Sequence, residues 1–157
     1  MSAWLGLVAR LVVGGVWLYA GAIKLPDPAQ SVAAVRAYQA LPSELVAPVG
    51  QLLPVVEVVI GAMLIVGLVT RGAALVSALL LVVFVVGIIS VWVRGIEIDC
   101  GCFGGGGYDP DATPKYPWEI ARDAALLAAS LWLVWQRGSR LALDDRIFKP
   151  LQPVEES

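Results

Sequence analysis

The chain reads as an all-α integral membrane protein, a four-helix transmembrane bundle with a short interfacial helix between its first and second spans. Two observations predict this. Of 157 residues, 59% are hydrophobic and only 15% charged, well outside the balance of soluble domains. The apolar residues also gather into runs of spanning length: 4–25 with only Arg10 and Lys24 as charges, 52–70 with only Glu57, and 73–93 with none. About 20 such residues cross a bilayer. A further run, 117–136, carries Glu119, Arg122 and Asp123 in its first turns and is free of charge from Ala124 onward; it is read as the fourth span. The transmembrane domain is therefore 1–137, and 138–157 form a polar cytoplasmic tail.

Each element has its own signals. The first helix runs from Trp4 to Lys24 and ends before the Pro26-Asp27-Pro28 breaker. A signal peptide competes with this reading, because Arg10 precedes an apolar run and Ala20-Gly21-Ala22 imitates a cleavage site. Against it, the segment before Arg10 is apolar and contains Trp4. Both readings deliver residue 30 to the far side of the membrane. There Asp27 serves as N-cap, Pro28 takes the first helical position, and Val32, Val35 and Tyr38 repeat at helical spacing, which predicts the interfacial helix. Pro42 stops it, Ser43 can cap the next segment, and Pro48 and Pro54 punctuate the approach to the second span. Gly67 and Thr70-Arg71-Gly72 predict a short turn and an antiparallel hairpin of spans two and three. Span three ends at Trp92-Val93-Arg94-Gly95, and a long loop comes next with both cysteines, four consecutive glycines, Pro110 and Pro114. Ala121, Ala125 and Ala129 then form a small-residue stripe, which lets helices approach closely in lipid.

Loop charges orient the bundle. Arg71, Arg137, Arg140, Arg146 and Lys149 lie on one side, and Lys24, Arg36, Arg94, Lys115 and Arg122 on the other. The first group sits in short segments next to helix ends, whereas several of the second lie at or inside them, so the first side is assigned to the cytoplasm. Arg10 adds to it. The expected location is the cell (inner) membrane, multi-pass, with both termini cytoplasmic and the cysteine loop extracytoplasmic, where disulfides persist. A net charge of -2 without a basic patch predicts no nucleic-acid partner.

Chemistry concentrates at Asp99-Cys100-Gly101-Cys102-Phe103. The two thiols can close on each other or act together on a third sulfur, and Gly101 relieves crowding in so tight a ring. The pair admits exchange chemistry, an inert or structural role, or soft-metal binding. The chain has no histidine, which excludes hydrolytic triads of the usual kind and histidine-containing zinc sites within one subunit. Two cysteines fall short of a structural zinc site, although two from each subunit of a dimer could form one. Glu57, Arg122 and Lys24 converge from three helices below the loop. Charges inside a bilayer pair or serve a site, and the expected pair is Glu57 with Arg122, with Glu119 and Asp123 as competitors. Its two roles, fixing helix packing or tuning the thiols, stay open. Arg122 or Lys24 near a cysteine lowers its pKa whereas Asp99 beside Cys100 raises it, so Cys102 is expected to be the easier thiolate. Arg10, nearer the inner face, is expected to snorkel to headgroups. Trp92, Phe103, Tyr116 and Trp118 can stack on a quinone ring or simply anchor the interface.

These residues resemble a known family. Tyr19-Ala20-Gly21-Ala22-Ile23-Lys24-Leu25-Pro26-Asp27-Pro28, Leu53-Pro54-Val55-Val56-Glu57, Gly67-Leu68-Val69-Thr70-Arg71 and Asp99-Cys100-Gly101-Cys102-Phe103-Gly104 are similar to the MauE methylamine utilisation family, within the broader DoxX-like membrane group. The likeness covers about residues 5–136. It implies a four-helix membrane protein that supports disulfide formation in an extracytoplasmic partner, the small subunit of methylamine dehydrogenase in that family, alongside a thioredoxin-like protein. Cys100 and Cys102 would carry that role.

The resulting expectation is a membrane thiol–disulfide protein with Cys100 and Cys102 as the reacting pair and Arg122, Glu57, Asp99 and Lys24 in support. Its partner is a thioredoxin-like or other extracytoplasmic thiol protein, and a quinone is the natural membrane electron carrier. The alternatives are a noncatalytic scaffold for a redox complex and a soft-metal protein. The latter needs more sulfur ligands than Cys100, Cys102, Met1 and Met63 provide.

Overall fold

The computed structural model describes residues 2–135. Five helices, α1 (Ser2–Lys24), α2 (Pro28–Ala37), α3 (Ser43–Val66), α4 (Thr70–Val93) and α5 (Tyr116–Trp135), are joined by short turns, except that a two-residue antiparallel hairpin, β1 (Ile98–Asp99) with β2 (Gly107–Tyr108), interrupts the α4–α5 loop. The predicted tail lies outside the described residues. Trp4–Lys24, α3 and α4 are long and apolar enough to cross a membrane; α5 fails that criterion on the charges of its first turns.

Local sequence accounts for most boundaries. The Asp27 carboxylate accepts the Gln30 N–H at 3.0 Å and Pro28 opens α2, as its capping pattern predicts. Ser31 and Ala34 form its buried face, with Val32 and Val35 only half-buried. α3 departs from the sequence reading. Pro48 and Pro54 lie within one continuous helix that begins at Ser43 rather than at 52. Neighbouring helices pack where proline removes a backbone donor: Gly50 sits against Val32 of α2, and Pro54 is buried. Gly67 ends α3 in the left-handed conformation with its N–H on Met63 O at 2.8 Å, and α4 starts three residues later.

The closest pairings are α1 with α3 and α4 with α5, and α2 lies on α3. Glycines set the first contact: a Cβ at Gly61 would stand 2.6 Å from Leu18 N, and one at Gly21 2.7 Å from Pro54 O. Such close approach is how helices associate where lipid is as apolar as leucine. The core holds Val13, Trp17, Ile60, Leu64, Leu81 and Leu133. A neutral polar chain crosses it: Trp17 Nε1 donates to Ser77 Oγ at 2.7 Å, Ser77 and Ser130 hydroxyls meet at 2.9 Å, and Ser130 donates to Leu126 O. Leu52, Leu79, Val83 and Val86 face outward, as lipid-facing positions do.

Two expectations are corrected here. Arg10 does not snorkel: it is 1% exposed, with Nε on Leu64 O at 2.9 Å and Nη2 on Ile65 O at 3.1 Å. The last carbonyls of a helix lack internal partners and carry the negative end of its dipole, so a buried guanidinium finds its compensation there. The alanine stripe does not seam the bundle. Ala121 and Ala125 are exposed, and α5 instead buries Tyr116, Asp123, Ser130 and Leu133.

Candidate functional site

The cysteine loop is seated rather than free. Tyr116, at the start of α5, places its hydroxyl between strands of backbone, accepting from Ile98 N at 3.0 Å and donating toward Ile96 O at 2.8 Å. Tyr38, just past α2, donates to Cys100 O at 3.0 Å. Burial, with negative neighbours adding to it, pushes the Tyr38 hydroxyl above its ordinary range, so it remains a donor. The Tyr38 carbonyl is in turn held by Arg94 Nη2. Between these clamps the loop lies directly on α2. A Cβ at Gly101 would stand 2.8 Å from Ala34 Cβ, and one at Gly106 only 2.4 Å away; their φ values of +68° and +115° also disfavour any other residue. Asp99 closes the turn by accepting the Gly101 N–H at 2.8 Å.

Both cysteines are free thiols, Cys100 half-buried and Cys102 8% exposed. They face each other across the turn: Cys102 N–H points at Cys100 Sγ at 3.4 Å, and Cys102 Sγ lies 3.9 Å from Cys100 O. The Cys102 thiol is pushed well above the usual range, first by its hydrogen bond with Cys100, then by burial and by the negative charge of Cys100 and Asp123, with Lys24 opposing. This corrects the expectation that Cys102 is the easier thiolate. Cys100 is the more accessible sulfur.

Beneath the sulfurs the expected charges do converge, in a different pairing. Lys24 Nζ lies 2.8 and 3.0 Å from the two Glu57 oxygens, and Glu57 is fully buried. Arg122 pairs with Asp123, Nε on Oδ1 at 3.0 Å with Nη2 2.9 Å from the same oxygen at an angle too poor for a second hydrogen bond. The expected Glu57–Arg122 pair is not formed. Arg122 also stacks on Phe103, 4.5 Å from the ring centroid, and Phe103 in turn tilts against Tyr19 at 6.0 Å. Phe103 and Arg122 both line a crevice between α1, α3, α4 and α5, together with Trp17, Glu57, Phe84 and Cys102.

Six predicted site residues thus share one end of the bundle: Cys100, Cys102, Glu57, Arg122 and Lys24 around the sulfurs, and Asp99 as a turn-former. Sequence reasoning missed Tyr38 and Tyr116 as loop clamps. Tyr116 is fully buried rather than interfacial, and the signal that could have shown it is its place opening α5 directly after the loop it holds. The family described as methylamine utilisation protein MauE matches residues 2–136. A search of curated proteins and a search of solved structures gave no match. With its family match running over nearly the whole chain and its apolar helices of spanning length, this multi-pass membrane protein belongs to the MauE family.

Proposed function

We propose that this protein exchanges disulfides with an extracytoplasmic thiol protein through Cys100 and Cys102. The observation that carries the reading is the arrangement of the two thiols, adjacent across a glycine turn, one half-exposed and one buried over a charged floor. In the oxidised state a partner thiolate attacks Cys100 Sγ, the Cys100–Cys102 bond breaks, and Cys102 leaves with the bonding electrons. The partner's second thiolate then attacks the mixed disulfide, so the partner is oxidised by two electrons and the Cys100–Cys102 pair is reduced. α5 completes the bundle as a fourth span whose charged first turns sit at the interface, the loop is extracytoplasmic and the termini are cytoplasmic.

Reoxidation needs a two-electron acceptor, and a membrane quinone is the natural class. The crevice beside Cys102 has a volume of about 20 Å³, room for about one water molecule, and does not admit a quinone ring as it stands.

Mass spectrometry of protein alkylated in intact cells tests the reading. The expected result is a covalently captured partner that disappears in the Cys100→Ser/Cys102→Ser protein, with partner oxidation lost. Undiminished partner oxidation in the double variant would establish the scaffold reading instead.

A further inference from the structure

The peptide unit between the two cysteines is held at both ends. Its carbonyl, Cys100 O, accepts from the Tyr38 hydroxyl at 3.0 Å, and its amide, Gly101 N–H, donates to Asp99 Oδ1 at 2.8 Å. The two holders come from different parts of the chain. Tyr38 lies just past α2, where Gln39 turns the backbone at φ +49°; Arg94 holds the Tyr38 carbonyl, and a Cβ at Gly87 of α4 would stand 3.1 Å from Tyr38 Cε1. Asp99 belongs to β1, paired with Gly107, and a Cβ at Gly105 would stand 3.1 Å from its other oxygen. Each holder is thus fixed by its own surroundings, and turning the peptide over would break both hydrogen bonds at once.

The held unit also faces the second sulfur. Cys102 Sγ lies 3.9 Å from Cys100 O, the oxygen that Tyr38 already binds, and Cys102 N–H points at Cys100 Sγ at 3.4 Å. A carbonyl has two lone pairs and accepts both donors. Cys102 serves as the second donor only as a thiol, because its S–H is lost when a disulfide closes. The ring of a Cys100–Cys102 disulfide contains this same peptide unit, so ring closure and the two clamping hydrogen bonds act on the same torsions.

We propose that Tyr38 and Asp99 are positioning residues that favour the dithiol form of Cys100 and Cys102, and so make their disulfide the readier oxidant. The inference rests on the exchange reading above and deepens it by assigning the groups that set the redox poise of the pair. Oxidation by glutathione disulfide defines the equilibrium: the S–S bond of glutathione disulfide breaks, the Cys100–Cys102 bond forms, and the two thiol protons and two electrons of the pair pass to two glutathione thiols. Hydrogen bonds stronger in the dithiol than in the disulfide hold this equilibrium toward the reduced side, and by reciprocity the disulfide loosens them.

The test equilibrates the full-length protein in detergent with glutathione buffers at pH 7 and reads the ratio of disulfide to dithiol by mass after alkylation. Tyr38→Phe keeps the ring against Gly87 and removes the hydroxyl; it should raise the equilibrium constant for disulfide formation about 5-fold, the scale of one net hydrogen bond. Asp99→Ala should do the same, whereas Asp99→Asn, which retains an acceptor oxygen, should stay near the parent value. An equal shift in both Asp99 variants would assign the effect to charge and overturn the role of Asp99. Because both bonds hold one rigid unit, Tyr38→Phe/Asp99→Ala should fall well short of the roughly 25-fold product of independent effects. A constant that is unchanged in Tyr38→Phe, or displaced toward the dithiol, overturns the proposal, and so does a full product in the double variant. If the variants do not fold, the parent protein decides: hydrogen exchange at the Gly101 amide should be faster in the oxidised than in the reduced protein, and equal or slower exchange overturns the clamp. A parent pair that glutathione disulfide cannot close would remove the exchange reading itself, so the two failures are told apart.

Discussion

Arg10 and Lys24 are both cations of α1, both buried, and both bound to α3, yet they do different work. Arg10 ends on the terminal carbonyls of α3, Leu64 and Ile65. It meets partial charges that every helix end supplies, so any helix ending at that place would hold it. Lys24 ends on Glu57, a full charge that is itself fully buried. The crevice that Glu57 lines also contains Cys102 and Arg122. Burial of a charge therefore says less than its partner does. A cation satisfied by backbone holds a helix end, whereas one satisfied by a buried carboxylate beside the cysteines is the arrangement on which the proposed exchange would draw.

Four variants can break or sharpen this contrast. The largest effect is expected from Lys24→Met, which strands the Glu57 charge in a dry interior and should cost about 3–5 kcal/mol, as the loss of one partner of a buried pair does. Lys24→Met/Glu57→Leu should recover most of that stability in detergent unfolding, but not the alkylation behaviour of Cys102, whose thiolate loses the Lys24 charge in both variants. Arg10→Met should cost about 1.5–3 kcal/mol, the scale of hydrogen bonds to a charged group, while leaving both cysteine alkylation rates at their parent values. Altered cysteine rates in that variant would collapse the distinction. Ser77→Ala, midway between the two ends, should cost only about 0.6 kcal/mol, typical of neutral hydrogen bonds between membrane helices. A loss as large as that of Arg10→Met would show that the neutral chain, rather than the end, is the lock.

Much of this was legible in the chain. Helix number and type, the α2 cap at Asp27 and the αL end at Gly67 follow from local chemistry. So does the gathering of Lys24, Glu57 and Arg122 below the loop, because depth in a span can be counted along the chain. The pairing could not be counted. It depends on which helices touch, and Gly21 and Gly61 draw α1 onto α3 so closely that Lys24 reaches Glu57 first. Pro48 and Pro54 suggested boundaries because proline breaks an isolated helix; packing overrode that rule. The β1–β2 hairpin was hidden by its own brevity and by the four-glycine run inside it.

The seat of Gly101 and Gly106 on Ala34 carries one more consequence. Because α2 lies directly against the turn, the position of the sulfurs is set by a packed helix rather than by slack in the loop. Under the proposed exchange, a partner has to come to Cys100 on that fixed shelf, because Cys102 is nearly closed off on its own side of the turn.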